Sequence, residues 1–253
     1  MSKPAQVGTL LANRKPTQED DVQIEGSAAL VTGANRGLGR CFAEALLRRG
    51  ASVYAAKRGS ALVDLPGVSP IQLDITDPES VAAAAAATGD VSLLINNAGS
   101  SVGASLLDGP LDDIRLEMDT HFFGTLAVTR AFAPQLAAQG GGAILNVLSA
   151  LSWFSFPAIG AYCAAKSAEW SLTNSIRQEL GEQGTQVSAL HVGYMDTDMT
   201  RHVNAPKSDP AVVAAQALDK LEAGHVEILA DETSRQVRAA LSGGVGSLYP
   251  QFA

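Results

Sequence analysis

Short continuous apolar runs alternate with stretches of helical periodicity along most of the chain. We predict the apolar runs as strands at Ala28–Thr32, Ser52–Ala56, Ile71–Leu73, Val91–Ile95, Ala143–Leu148, Gln186–His191 and Val226–Leu229. The stretches between them predict helices at Leu38–Arg49, Glu79–Ala87, Asp112–Ala138, Ile159–Leu180, Pro210–Ala223 and Glu232–Leu241. Strands without polar alternation are typical of parallel sheets that helices cover on both faces. The pattern therefore predicts an α/β fold with a single-domain, doubly wound parallel sheet.

The first 25 residues have a different pattern. They are polar, contain Pro4, Pro16 and the acidic run Glu19–Asp21, and show no sustained periodicity. We predict a flexible N-terminal extension at residues 1–25 and one domain at residues 26–253. Because the extension lacks the long apolar core of a signal peptide, we expect a cytoplasmic protein.

Composition and charge exclude several classes of partner. The formal net charge of −8 argues against binding to nucleic acid or to an anionic membrane surface, since both need clustered cations. The uncharged stretch 131–165 contains Pro134, three glycines at 140–142 and Pro157, so it is not a membrane helix, which needs about 20 apolar residues. Cys41 and Cys163 lack ligand spacing, so we predict no disulfide framework and no metal site.

A glycine-rich turn follows the first predicted strand. Gly33, Gly37 and Gly39 permit a tight turn into the next helix, where backbone N–H groups and the helix dipole meet an anion such as a diphosphate. The spacing differs from G-x-G-x-x-G, so a glycine turn without a ligand remains an alternative. We predict a dinucleotide site whose contacts from this turn are Thr32, Gly33, Asn35, Arg36, Gly37, Leu38 and Gly39.

Cations stand where a protein that prefers NAD usually carries an acid, about 20 residues after the glycines. Lys57 and Arg58 end the second predicted strand, and Arg36 lies inside the glycine turn. These charges suit a 2′-phosphate and predict NADP(H), although solvated surface cations are the alternative. Further cofactor contacts are predicted where two other strands end, at Asp74, Ile75, Asn97, Ala98 and Gly99, because ligands of such sheets lie beyond the carboxyl ends of strands.

Three side chains form the candidate catalytic group. Tyr162 and Lys166 stand four residues apart at the start of a predicted helix and so share one face. Ser149 follows the fifth predicted strand, thirteen residues before Tyr162, and the connection can bring the two hydroxyls together.

The combination of Thr32-Gly33-x-x-x-Gly37-x-Gly39, Asn96-Asn97-Ala98-Gly99, Ser149 and Tyr162-x-x-x-Lys166 resembles the compact single-domain branch of the short-chain dehydrogenase/reductase superfamily. The resemblance covers roughly residues 26 to 230 and implies a Rossmann-type fold and hydride transfer between NADP(H) and a carbonyl or alcohol substrate. It implies that Tyr162 is the general acid and base and that Ser149 holds the substrate oxygen. Lys166 would bind the nicotinamide ribose and lower the pKa of Tyr162, as a cation does for a phenol, whose pKa is ordinarily about 10. Family positions that line the cofactor correspond to Asp74, Asn97, Ala98, Gly99, Val192, Gly193, Met195 and Thr197.

The chain departs from the family pattern at two positions. His121 occupies the place of an asparagine that anchors a relay water behind the lysine. A histidine can itself relay protons near neutral pH, and it can equally be a packed helix residue. The usual Pro-Gly after the sixth strand is Val192-Gly193, so the bend there loses the rigidity of proline.

Substrate and assembly are predicted more coarsely. An apolar or aromatic substrate pocket and ordinary core packing are equal alternatives for the residues Leu151, Trp153, Phe154, Phe156, Ile159, Met195 and Met199. The helix after Tyr162 is rich in small residues and, with the helix around Phe122–Ala133, resembles the pair through which family members form homodimers or homotetramers. A non-catalytic NADP(H) sensor or scaffold is the alternative to an enzyme.

Overall fold

Seven parallel strands form one sheet in a computed structural model that describes residues 22–59 and 63–252. The strands are β1 (Ala28–Thr32), β2 (Ser52–Lys57), β3 (Ser69–Gln72), β4 (Leu93–Asn96), β5 (Ala143–Ser149), β6 (Gln186–Val192) and β7 (Glu227–Leu229). Their order in the sheet is β3-β2-β1-β4-β5-β6-β7. The order reverses between β1 and β4, and a crevice opens at such a switch point beyond the carboxyl ends of the strands. The predicted doubly wound α/β fold is confirmed.

Helices cover both faces of the sheet. They are α1 (Gly37–Arg48), α2 (Pro78–Ala87), α3 (Leu111–Met118), α4 (Thr125–Ala138), α5 (Gly160–Glu179), α6 (Pro210–Glu222), α7 (Glu232–Ala240) and the short α8 (Val245–Leu248). Within the described ranges, no helix combines the length and the apolar character that crossing a membrane requires.

The hydrophobic core consists of two clusters, one on each face of the sheet. Ala29 and Val31 of β1 pack with α1 and α6 in the first cluster, and Leu30 packs with α2, α4 and α5 in the second. Successive side chains of a strand point to opposite faces, so both sets must be apolar when both faces are covered. This burial is the physical reason for the continuous apolar runs in the sequence.

One predicted helix is interrupted. The sequence predicts a continuous helix over Asp112–Ala138, whereas the structure has α3, then a π-helical turn at Asp119–Gly124, then α4. A π-turn carries one more residue per hydrogen-bonded ring and often marks a functional site. Here it aims the His121 ring at Tyr162, with ring centroids 5.2 Å apart.

Further boundaries differ from prediction, among them those of β3 and of the N-terminal extension. β3 begins at Ser69, earlier than the predicted Ile71–Leu73, because this edge strand is largely exposed and lacks an apolar signal. Of the predicted N-terminal extension, residues 1–21 lie outside the described residues. Ile24, within its last four residues, is fully buried in the core, and its N–H donates to Glu222 Oε1 at 3.3 Å. Residues 22–25 thus pack with the domain because Ile24 fills a core position.

Candidate active site

A cavity of about 560 Å³ lies at the carboxyl ends of the strands and brings most of the predicted site residues together. The predicted residues that line it are Gly33, Asn35, Arg36, Gly37, Leu38, Gly39, Arg58, Asp74, Ile75, Asn97, Ala98, Gly99, His121, Tyr162, Lys166, Val192, Met195 and Thr197. Four predicted site residues do not line it: Thr32, Lys57, Ser149 and Gly193. Residues from segments far apart in sequence meet here because parallel strands end at one edge.

The glycine turn has a geometry that side chains would block. Gly33 and Gly37 have φ values of +67° and +53°, which L-residues with a Cβ rarely adopt. A Cβ added at Gly39 would lie 2.3 Å from the carbonyl oxygen of Gly33. The three glycines therefore permit the close approach of strand and helix that the sequence predicts.

The N-terminus of α1 faces the cavity and is suited to an anion. Its first turn contains no acidic residue, and the N-cap residue Arg36 makes no side-chain capping bond. The first N–H groups of a helix and its dipole attract phosphate. The arrangement fits the diphosphate of a dinucleotide.

Thr32 has a structural role beside this turn. Its buried Oγ1 accepts hydrogen bonds from the backbone N–H groups of Asn97 and Ala98, at 2.9 Å each, and donates to the carbonyl of Ile95. The Asn97 side chain donates in return to the carbonyl of Thr32 at 2.9 Å. These bonds join the loop after β4 to the glycine turn, which explains why Thr32 supports the cavity without lining it.

Two of the three predicted cations reach the cavity. Arg36 and Arg58 line it, whereas Lys57, the last residue of β2, does not. Arg36 lies 3.5 Å from the carboxylate of Asp198, and both side chains are exposed. The two guanidinium groups fit the charge of a 2′-phosphate at the end of β2.

The bend after β6 is held by a carboxylate that is not among the residues predicted from the sequence. The N–H of Gly193 donates to Asp231 Oδ2 at 2.6 Å, and Asp231 Oδ1 also accepts from the N–H of Ser234 to cap α7. Gly193 faces this cap instead of the cavity. Asp231 thus restrains the bend at Val192-Gly193, where the family usually has a rigid proline. The signal was present in the sequence as an N-cap before Glu232–Ala240.

Ser149, Tyr162 and Lys166 converge as predicted. Tyr162 and Lys166 lie on one face of α5, with Lys166 Nζ 5.9 Å from the centroid of the Tyr162 ring. The buried Ser149 ends β5; its Oγ accepts from the N–H of Leu151 at 3.1 Å and donates to the carbonyl of Val192. Ser149 acts to lower the pKa of Tyr162, against the larger raising effect of burial.

The pKa of Tyr162 differs from the sequence prediction. Burial raises this pKa, and the nearby Glu169 and Glu117 carboxylates raise it further, against the lowering effects of Lys166 and Ser149. The predicted lowering by Lys166 is therefore present but outweighed. Tyr162 is a neutral phenol, which is a proton donor, over the whole neutral range.

A second buried layer lies behind the lysine. Lys166 Nζ donates to Glu169 Oε2 at 2.6 Å and to the carbonyl of Val147 at 2.8 Å. His121 Nε2 donates to the carbonyl of Ser100 at 2.8 Å and lies 3.3 Å from Glu117 Oε2. Neither carboxylate is among the residues predicted from the sequence. Glu169 is three residues after Lys166 and Glu117 is four before His121, and such spacings make helical neighbours.

The aromatic segment after Ser149 packs away from the cavity. Trp153 stacks on His191, with ring centroids 3.8 Å apart, and Phe154 stacks on Tyr249. None of the five residues Leu151, Trp153, Phe154, Phe156 and Ile159 lines the cavity, whereas Met195 and Met199 do. For Trp153, core packing is the correct alternative, because its ring is buried between two other rings.

Comparisons with known proteins identify the family. The model of the short chain dehydrogenase family matches residues 27–208. D-erythrulose reductase of Gallus gallus is 36% identical over 203 residues, which cover 78% of this chain and 81% of that protein. Carbonyl reductase [NADPH] 2 of Sus scrofa is 33% identical over 195 residues, covering 75% of this chain and 79% of that protein.

A solved structure of a short chain dehydrogenase from Burkholderia cenocepacia, in complex with NADP, superposes with a TM-score of 0.85 at 38% identity. The match covers 90% of this chain and 98% of that one. Together with the sheet order, the glycine turn and the Ser149, Tyr162 and Lys166 group, these similarities define the class. The chain belongs to the short-chain dehydrogenase/reductase family of oxidoreductases.

Proposed function

We propose that the protein is an NADPH-dependent reductase that converts a ketone or an aldehyde to an alcohol. The observation that carries the proposal is the position of Tyr162 and Lys166 on the wall of the same cavity that the glycine turn lines. Phosphate-binding backbone and a proton-donating phenol in one cavity suit hydride transfer coupled to proton transfer. Family membership supports this chemistry.

In the proposed mechanism, the cavity would hold NADPH, which would supply the hydride for the carbonyl carbon. Tyr162 donates its phenolic proton to the carbonyl oxygen. Ser149, whose hydroxyl donates to the carbonyl of Val192 in this structure, would turn to hold that oxygen by a hydrogen bond. Lys166 has three N–H groups, two of which bond to Val147 and Glu169. The third has no partner among the described residues and is proposed to bind the nicotinamide ribose. Positioned acid catalysis of this kind contributes about 10²–10⁴-fold in rate.

NADPH is proposed over NADH because of charge. Arg36 and Arg58 line the cavity, and the end of β2 carries no acid that could bind an NAD ribose. The NADP complex of the Burkholderia cenocepacia relative and the NADPH in the name of the pig relative support this preference.

The proposed substrate end of the cavity is mainly apolar. Val102, Leu116, Met195 and Met199 line the same cavity as Tyr162. Apolar walls with few polar groups favour an apolar or aromatic carbonyl compound. The chicken relative is named for the reduction of a ketose, so ketoses are assayed together with apolar carbonyl compounds.

His121 is proposed as a relay that returns a proton toward Tyr162. Its ring lies edge-on to the Tyr162 ring, and its buried Nδ1 has no hydrogen-bond partner among the described residues. Nδ1 lies 3.9 Å from the Glu169 oxygen that binds Lys166. We expect His121→Phe to be slow in a step with a solvent isotope effect, and His121→Asn to restore the rate. Identical pH profiles and isotope effects in both variants and the wild type would eliminate the relay.

A homodimer or homotetramer is proposed from the surface of α4 and α5. Small exposed side chains at Ala164 and Ser171 permit close helix packing, and Phe123, beside α4, is 55% exposed. Light scattering of the purified protein measures the assembly, and a monomer at micromolar concentration would contradict it.

The central test combines turnover and binding. Purified wild-type protein and Tyr162→Phe are assayed with NADPH against aromatic ketones, aliphatic aldehydes and ketoses. We expect the Phe variant, which keeps the ring and removes the proton donor, to lose at least about 10²-fold in turnover while its NADPH affinity changes little. Wild-type binding of NADPH without turnover of any carbonyl class would favour the sensor alternative, and normal turnover of the variant would exclude the role of Tyr162.

A further inference from the structure

Two carboxylates are buried behind the proposed catalytic lysine. The side chain of Glu117 is fully buried and Glu169 is 2% exposed. A buried carboxylate is costly unless a cation or hydrogen bonds compensate it, so each needs a specific set of partners. Glu117 Oε1 accepts from the N–H of Val102 at 2.7 Å, whereas Glu169 faces the lysine.

Glu169 is fixed at both carboxylate oxygens. Oε2 accepts from Lys166 Nζ at 2.6 Å, and Oε1 accepts from Thr125 Oγ1, the first residue of α4, at 3.1 Å. The partners come from two helices, so the carboxylate cannot turn away from the ammonium without losing a bond. The Lys166–Glu169 pair is therefore a fixed charge pair inside the site.

This pair weakens the field of Lys166 at Tyr162. An isolated ammonium 5.9 Å from the ring centroid would stabilise the phenolate, but a carboxylate 2.6 Å from Nζ opposes that effect. The other titratable groups that face this cluster are Glu117 of α3, His121 of the π-turn and His191 of β6. Burial lowers the pKa of His191 to about 3, so His191 adds no charge.

We propose that Glu169 is a positioning residue that neutralises and immobilises the Lys166 ammonium, so that Tyr162 rests as the neutral phenol from which a carbonyl oxygen takes its proton. The proposal rests on the reductase function proposed above and names the residue that keeps Tyr162, the proton donor of that reaction, protonated. The raised pKa of Tyr162, to which burial contributes most and Glu169 adds, agrees with the geometry.

The chemical step balances with Tyr162 in this form. As the hydride adds to the carbonyl carbon, the phenolic O–H bond breaks and an O–H bond forms on the substrate oxygen. The phenolate that remains then takes one proton from solvent, while Lys166 and Glu169 keep their charges. Oxidation of an alcohol would instead need the phenolate of Tyr162. The Lys166–Glu169 pair disfavours the phenolate, so it extends to higher pH the range in which neutral Tyr162 can donate a proton.

The test measures the ionisation of Tyr162 directly, without substrate. The ultraviolet absorbance of tyrosinate is titrated in the wild type and in Tyr162→Phe, and their difference isolates one phenol among the 4 tyrosines. The same pair of titrations is made in the Glu169→Gln background, where the amide keeps the shape of the side chain. We expect the Tyr162 transition to move down by about one pH unit. An unchanged or higher transition would overturn the proposal.

Glu117→Gln is the matched control. It removes a buried negative charge from the same cluster but does not touch Lys166, so we expect a smaller shift than in Glu169→Gln. An equal or larger shift would mean that the total charge of the cluster, rather than the Lys166–Glu169 pair, determines the pKa of Tyr162. That result would overturn the assignment. If circular dichroism finds Glu169→Gln unfolded, Glu169→Asp replaces it. The shorter side chain withdraws the carboxylate from Nζ, and the absence of a downward shift there counts against the proposal.

Kinetics separate this proposal from the reductase function. If a substrate is found, the alkaline limb of kcat/KM for reduction should fall at lower pH in Glu169→Gln, by the same shift as the absorbance. A protein that reduces no carbonyl but has the expected absorbance shift would refute the function and leave the role of Glu169 intact. A protein that reduces carbonyl compounds but whose Tyr162 absorbance transition does not move in Glu169→Gln would support the reductase function and refute the role of Glu169.

Discussion

Asp231 is expected to stabilise the fold more than an ordinary helix cap. Its carboxylate accepts the N–H of Ser234 at 2.8 Å as the cap of α7, and also the N–H of Gly193 at 2.6 Å in the bend after β6. Loss of a cap costs about 1 kcal/mol, and loss of a hydrogen bond to a charged group costs about 1.5–3 kcal/mol. We therefore expect Asp231→Ala to lower the free energy of unfolding by about 3 kcal/mol, which lowers Tm by roughly 6–12 °C for a chain of this size.

The assay is urea unfolding followed by circular dichroism, with Asp77→Ala as the control. Asp77 caps α2 through one bond, to the N–H of Glu79 at 3.0 Å, so its loss should cost only about 1 kcal/mol. Asp231→Asn should fall between the two, because asparagine is a good cap but lacks the charge. If Asp231→Ala is no less stable than Asp77→Ala, the bond to Gly193 contributes nothing and the reasoning is refuted.

Three further predictions concern the cofactor site and the core. Gly39→Ala places a Cβ 2.3 Å from a backbone oxygen, so we expect NADPH affinity, measured by fluorescence titration, to fall at least about tenfold, or about 1.4 kcal/mol. Arg58→Ala should weaken NADPH binding about tenfold and NADH binding much less, because the guanidinium is proposed to bind the 2′-phosphate. His191 has a pKa of about 3 in the folded state, so between about pH 6.5 and 3 the unfolded chain binds a proton that the folded chain excludes. Stability should therefore fall with falling pH by up to about 1.4 kcal/mol per pH unit, and His191→Phe should flatten this slope in urea unfolding at several pH values.

Each of these predictions has a control in the chain. Gly89→Ala places its Cβ in open space and should leave NADPH affinity unchanged. Lys57→Ala removes a cation that does not line the cavity, and an effect equal to that of Arg58→Ala would contradict the proposed phosphate contact. His202 is exposed, so His202→Phe should keep the acid slope of the wild type. A slope that stays steep in His191→Phe would show that other groups cause it.

Local sequence determined most of the fold. The continuous apolar runs predicted the parallel sheet, because strands buried on both faces have no polar alternation to preserve. The spacing of the glycines, together with the Tyr162–Lys166 pair, predicted that the active site lies at one end of the sheet, since the carboxyl ends of parallel strands meet at one edge. Each of these patterns involves residues that are close in sequence, and the geometry of a single strand, turn or helix relates such residues directly.

Tertiary structure decided the electrostatics of the site. The raised pKa of Tyr162 depends on burial and on Glu117 and Glu169, which α3 and α5 bring together from positions 52 residues apart in the numbering. The π-turn that aims His121 at Tyr162 breaks a helix that periodicity predicts as continuous. Contacts between elements distant in sequence also place Trp153 against His191 in the core and restrain Gly193 through Asp231. Local patterns specify which faces are apolar, whereas pKa values and ligand contacts depend on the distances and burial that only the packed chain defines.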